Sequence, residues 1–167
     1  MKGCGGVYLQ VLISHDGVPV LAGEEDLLFL TGVAKKIEEI NWEQLQQQKL
    51  LKQYSFPYGD FRYPQSENIA PLSRILDELG GLDFPIYLGI DAALNAKNSH
   101  KTAEKIVGQI KEKHLFSQVY LVSKRLGVLK KVQKNQPEQK VVPIVNGGIN
   151  LFSALFYMHS RLIRFSA

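Results

Sequence analysis

Residues 7–32 read VYLQVLISHDGVPVLAGEEDLLFLTG, and their pattern decides the fold. Two apolar runs, 7–13 and 18–22, flank Ser14-His15-Asp16-Gly17. Asp-Gly between apolar runs signals a tight turn, because glycine adopts left-handed backbone angles without steric cost. The stretch therefore predicts two short strands and a turn, followed by an acidic loop at Glu24-Glu25-Asp26 and a second turn at Thr31-Gly32. The first run is almost continuously apolar, interrupted by Gln10. Such a run fits a strand covered on both faces, as in a parallel sheet.

Outward from this start the chain reads as helix and strand units. Asn41-Trp42-Glu43-Gln44 has the form of a capping box and predicts a helix over 42–52. Residues 54–68 are aromatic, contain two prolines and have no helical period, which predicts a long loop. Pro71 suits a first helical turn. Leu72, Ile75, Leu76 and Leu79 then form one apolar face, closed by Gly80-Gly81. Strands are expected at 86–90, 119–122 and 141–145, with Pro143 marking the last as an edge. Helices are expected at 101–113, with Ala103, Ile106, Val107 and Ile110 inward, and at 125–134, with Leu126, Leu129 and Val132 inward. Asn135 and Pro137 end the second of these. Alternating strands and helices joined by short loops imply an α/β fold, a parallel sheet with crossover helices.

The totals bound the function. The 167 residues are 45% hydrophobic and 22% charged, which fits one globular domain. A single cysteine, Cys4, excludes an internal disulfide framework and fits a reducing, intracellular compartment. No cysteine or histidine spacing suggests zinc. The opening 1–6 lacks the long apolar core of a signal peptide. The net charge is +4, and much of the basic charge lies in 124–140. No aromatic residue is interleaved there, which argues against a nucleic-acid platform. Ser123-Lys124-Arg125 ends a strand and opens a helix, where N–H groups and positive charge suit a phosphate. His15, His100, His114 and His159 are scattered along the chain.

DGVPV at 16–20, the acidic loop, TGV at 31–33 and INWEQL at 40–45 together resemble the early part of the glycerophosphodiester phosphodiesterase family, most nearly its eukaryotic, membrane-linked branch. The resemblance extends over residues 7–165 as one domain and implies a (β/α)₈ barrel, glycerolipid metabolism and a divalent cation, Mg or Ca. A full barrel typically takes about 250 residues. The pattern here supplies about five strands, without the family's first strand and His-Arg-Gly motif or its last units. The fold implied is an incomplete TIM-barrel-like sheet whose edges, at 7–13 and 141–145, are open to self-association.

The family's mechanism draws on two metal-binding acids in the second strand, a later third acid, two histidines and an arginine. By register from Asp16-Gly17 and Thr31-Gly32, the paired acids fall on Tyr8 and Gln10. The His-Asp pair falls on Gly23 and Glu24, and the arginine on Phe29. The third acid falls on Gly89, with Asp91 in a following lysine position. Only Glu24 keeps an acidic type, so no catalytic residue is carried over and Glu24 is the remaining metal candidate. Two non-hydrolytic partners are compatible with the residues: a phospholipid headgroup or membrane surface met by Lys124 and Arg125, or a protein. A hydrolase with a relocated metal site at Glu24, Asp26 or Asp91 is the other alternative. Residues 149–165 are strongly apolar and predict a buried helix or a segment lying in a membrane interface.

Overall fold

The computed structural model describes residues 5–23, 25, 27–51, 53–56, 59–62, 67–95 and 99–144. The opening stretch folds as a hairpin. Strand β1 (Val7–Ile13) and strand β2 (Pro19–Leu21) run antiparallel, with Val11, Leu12 and Ile13 opposite Leu21, Val20 and Pro19. Ser14 fixes the turn. Its hydroxyl donates to the Asp16 carboxylate at 2.6 Å and accepts from the Val18 amide at 2.9 Å. Gly17 takes φ +80°, the conformation for which a turn needs glycine.

A short helix α1 (Leu27–Thr31), a 3-10 turn (Ile37–Glu39) and helix α2 (Trp42–Leu45) follow. Helix α2 is one turn long, whereas the sequence suggests 42–52. Its end tightens, with the Gln47 amide on the Gln44 carbonyl and the Gln48 amide on that of Leu45. Residues 67–68 then capture the chain: Leu50 donates to Glu67 O at 2.7 Å, and Asn68 Nδ2 to Gln46 O at 3.0 Å. Asn41 does not cap the helix through its side chain. Asp16, from the hairpin turn, accepts from the Trp42 amide at 3.0 Å instead, while Asn41 bonds the His15 ring at 3.0 Å.

The expected long loop contains a separate hairpin, β3 (Gln53–Phe56) and β4 (Gly59–Arg62). Two-residue β5 (Ala70–Pro71) leads into helix α3 (Leu72–Leu79), with Pro71 at its N-cap. Gly80 closes α3 by close approach: a Cβ there would lie 2.8 Å from the Leu76 carbonyl and 2.9 Å from Leu115. The remainder is β6 (Ile86–Gly89), a 3-10 turn (Ala93–Asn95), α4 (Ser99–Glu112), β7 (Val119–Ser123), α5 (Leu126–Asn135) and β8 (Lys140–Pro143).

The six-stranded sheet has the order β5-β2-β1-β6-β7-β8 and is not closed. Strands β1, β6, β7 and β8 are mutually parallel, while β2 is antiparallel to both neighbours. The side of β1 that the sequence leaves open is therefore covered by β2 over Val11–Ile13, but by no strand of the described residues over 7–10. On its other side β6 pairs with residues 7–10. Nor is β1 covered on both faces throughout, since Tyr8 is 59% exposed. β8 does end the sheet among the described residues.

Two cores form. Helices α3, α4 and α5 pack on one face of the sheet through Leu76, Ile106, Ile110, Leu129 and Val132 against Ile86, Leu88, Val119 and Leu121. The second core, at the hairpin end, joins Leu12 and Val20 to Leu27, Ile37, Leu45 and Ile69. In α5, Leu129 and Val132 are buried as expected, Leu126 is only partly buried, and Val128 is buried in addition. No helix of the described residues is long and apolar enough to cross a membrane. The apolar stretch 149–165 lies outside the described residues.

Candidate functional site

The parallel strands deliver their C-terminal ends to one side, where loops leave the sheet and side chains can converge. A cleft of about 500 Å³ opens there. β1 contributes Tyr8 and Gln10, and β6 with its following loop contributes Gly89 and Asp91. Lys124 and Arg125 enter after β7, and Glu25 and Ile144 complete the wall. Four positions aligned by register with the family's site, Tyr8, Gln10, Gly89 and Asp91, thus share a cleft with Lys124 and Arg125.

Tyr8 lies opposite Tyr87, and Gln10 opposite Gly89, across the β1–β6 pair. The Tyr8 ring leans diagonally over Gly89. A Cβ on residue 89 would collide with the Tyr8 hydroxyl and lie 2.6 Å from the ring carbon bearing it. Two of the positions expected from the register to align with acids are therefore filled by one aromatic side chain resting on a glycine. The sequence held the signal, a large aromatic residue diagonal to a strand glycine, but reading it requires the β1–β6 register.

Asp91 organises the opposite wall. It accepts from the Ser123 hydroxyl at 2.6 Å and from the Lys124 amide at 3.0 and 3.1 Å. The Ser123 hydroxyl in turn accepts from the Arg125 amide at 3.0 Å. The backbone groups that the sequence offers to a phosphate at Ser123-Lys124-Arg125 are thus engaged within the chain. Both Lys124 and Arg125 are exposed, and their charges remain at the cleft. Sequence reasoning missed this role of Asp91, because Asp91 and Ser123 meet only across the β6–β7 pair.

The other expected residues lie elsewhere. Gly23 is exposed with open space around its Cβ position, and Phe29 falls in α1. Glu24, Asp26, Cys4 and His159 lie outside the described residues. His15 bonds Asn41, His100 borders a groove between α4 and α5, and His114 follows α4 with φ 58°. None of these three lines the cleft. Among the described residues, no three His, Cys, Asp or Glu side chains converge as a metal site would require.

These residues do not fit a divalent cation. Mg and Ca select anionic oxygen ligands. At the aligned positions stand a tyrosine hydroxyl, an amide and a glycine, where such a site would need carboxylates.

Comparison with known proteins places this geometry. The family model described as Glycerophosphoryl diester phosphodiesterase family matches residues 3–163. The fold is similar to that of a protein assigned as a glycerophosphoryl diester phosphodiesterase from Silicibacter pomeroyi DSS-3. The TM-score is 0.76 at 12% identity, over 95% of this chain and 63% of that one. An Oleispira antarctica phosphodiesterase, solved with the product sn-glycerol-3-phosphate, matches at TM-score 0.68 and 16% identity, over 94% and 60%. A glycerophosphodiester phosphodiesterase from Parabacteroides distasonis ATCC 8503 gives 0.66 and 17%, over 92% and 57%. At these identities the likeness is one of fold, and this chain spans about three fifths of their length. A search of curated proteins returned no match. The match of the family model over nearly the whole chain carries the assignment: this chain belongs to the glycerophosphoryl diester phosphodiesterase family.

Proposed function

We propose that this chain keeps the phosphodiesterase scaffold without metal-dependent hydrolysis, and that its cleft holds an anionic ligand of the phosphate-ester class. The observation that carries the reading is Tyr8 resting over Gly89. Hydrolysis of a phosphodiester needs charge neutralisation on the phosphoryl oxygens, an activated nucleophile and an acid for the leaving alkoxide. Tyr8 and Gln10 offer a hydroxyl and an amide, which can orient an oxyanion by hydrogen bonding. Lys124 and Arg125 supply positive charge at the rim. Asp91, tied to Ser123 and Lys124, holds the strand-to-helix turn that presents them. The cleft therefore supports binding more readily than turnover.

A second reading, a hydrolase with a relocated metal site, draws on the carboxylates of Glu25 and Asp91 that line the same cleft. Incubating the purified protein with glycerophosphocholine and Mg²⁺ or Ca²⁺ separates the two. The account expects no release of choline or glycerol phosphate above the blank. Turnover that disappears in Glu24→Ala, Glu25→Gln or Asp91→Asn would establish the second reading. In the binding arm, equilibrium dialysis with glycerol 3-phosphate should show affinity that falls at least tenfold in K124E/R125E.

A further inference from the structure

The charge of the chain is unevenly distributed. Residues 99–140 carry ten Lys and Arg against three Glu, a net +7 within a total of +4, so the rest of the chain is net −3. The helix periods decide where that charge goes. Ala103, Ile106, Val107 and Ile110 turn one stripe of α4 to the sheet, as Val128, Leu129 and Val132 do for α5. Lys101 and Lys111 of α4 and Lys130, Lys131 and Lys134 of α5 are all exposed. Between the two helices runs a groove of about 240 Å³. Its floor is Ala103, Val107, Gly108, Val128 and Val132, with Lys111 and Lys131 also bordering it. A Cβ at Gly108 would meet nothing within 4 Å, so α4 raises no side chain at that point of the groove. The acid in this groove, Glu104, lies 3.5 Å from Asn135 Nδ2.

We propose that the α4–α5 face docks on a bilayer containing anionic phospholipid. Basic side chains on a common face gain favourable energy from each anionic headgroup they approach, and the gain decays within a Debye length. Lysine stems lie over apolar surface while their ammonium groups reach outward, which suits an apolar groove with a basic border. That apolar floor favours an amphiphilic surface over a nucleic acid, whose backbone offers only charge. The surface is separate from the cleft, so its test leaves Lys124 and Arg125 unchanged.

Co-sedimentation of the full chain with vesicles of 70:30 phosphatidylcholine and phosphatidylserine, against phosphatidylcholine alone, tests the proposal. Binding should be at least tenfold stronger on the anionic vesicles and should fall at least tenfold in 0.5 M salt. K111E/K131E/K134E should lose it at least tenfold with an unchanged thermal melt, and K101E/K111E should weaken it independently should the triple variant fail to fold. K35E/K36E/K49E, an equal change of charge at exposed positions elsewhere, should retain it. Equal binding to both vesicles, equal loss in both triple variants, or binding of polyglutamate or duplex RNA without vesicle binding would overturn it.

Discussion

Tyr8 and Gly89 form a pair, and their coupling is measurable. Alanine in a strand is ordinarily about 0.5–1 kcal/mol better than glycine. Gly89→Ala should not realise that gain while Tyr8 occupies the space, because the ring must first swing out. In a Tyr8→Ala background the gain should reappear, so chemical denaturation of the four variants should give a non-additive cycle. Asp16 is a second residue with a testable role. The Ser14 hydroxyl, above all, holds its carboxyl below the usual range; burial opposes this, and the Trp42 amide and Lys105 add to the lowering. A depressed carboxyl stabilises the fold above its unfolded value, near pH 4, and that stability is lost as pH falls through the folded value. Asp16→Asn should thus lower Tm at pH 7, and the difference should close in acid. The Asp16-Gly17 turn was legible in sequence. The use of Asp16 as a cap for α2 was not, because it depends on a contact 26 residues away.

Secondary elements were most legible where burial is periodic. The inward residues of α4 follow directly from the 3.6-residue repeat, and all four are buried. Helix α2 was misjudged because residues 67–68 capture its C-terminal extension, a tertiary event that local propensity does not contain. The β3–β4 hairpin was missed among aromatic residues read as a loop. The connection from α3 to β6 depends on one side chain of another element. Gln118 Nε2 lies 3.1, 2.7 and 3.0 Å from the carbonyl oxygens of Leu79, Leu82 and Phe84, which share its two N–H donors. Gln118→Ala leaves these carbonyls without that donor. It should cost about 1–3 kcal/mol in urea denaturation, with little change in m.

At the largest scale, the described residues form an open sheet with helices packed on one face of its parallel part. The α/β class and the parallel succession β6, β7, β8 could be read from alternation alone. The sheet order could not, because the hairpin folds β2 beside β1 and brings β5 to the far edge. Parallel sheets ordinarily have both faces covered. Here Tyr8, Tyr87, Tyr120 and Lys140 lie in one row across β1, β6, β7 and β8. The two inner rings stack at 5.1 Å between centroids, and Lys140 Nζ lies 4.8 Å from the centre of Tyr120. This row and the end strand β8 are the places where self-association should occur. Light scattering of the purified chain should show species larger than a monomer, growing with concentration, and a monodisperse monomer would remove that expectation. The central claim concerns the cleft, where Tyr8, Gln10 and Gly89 stand at the aligned acid positions. The most direct measurement is calorimetric titration of the full chain with Ca²⁺ and Mg²⁺. The account predicts no saturable heat up to millimolar cation. Stoichiometric binding at micromolar concentration, abolished by Asp91→Asn or Glu25→Gln, would contradict it.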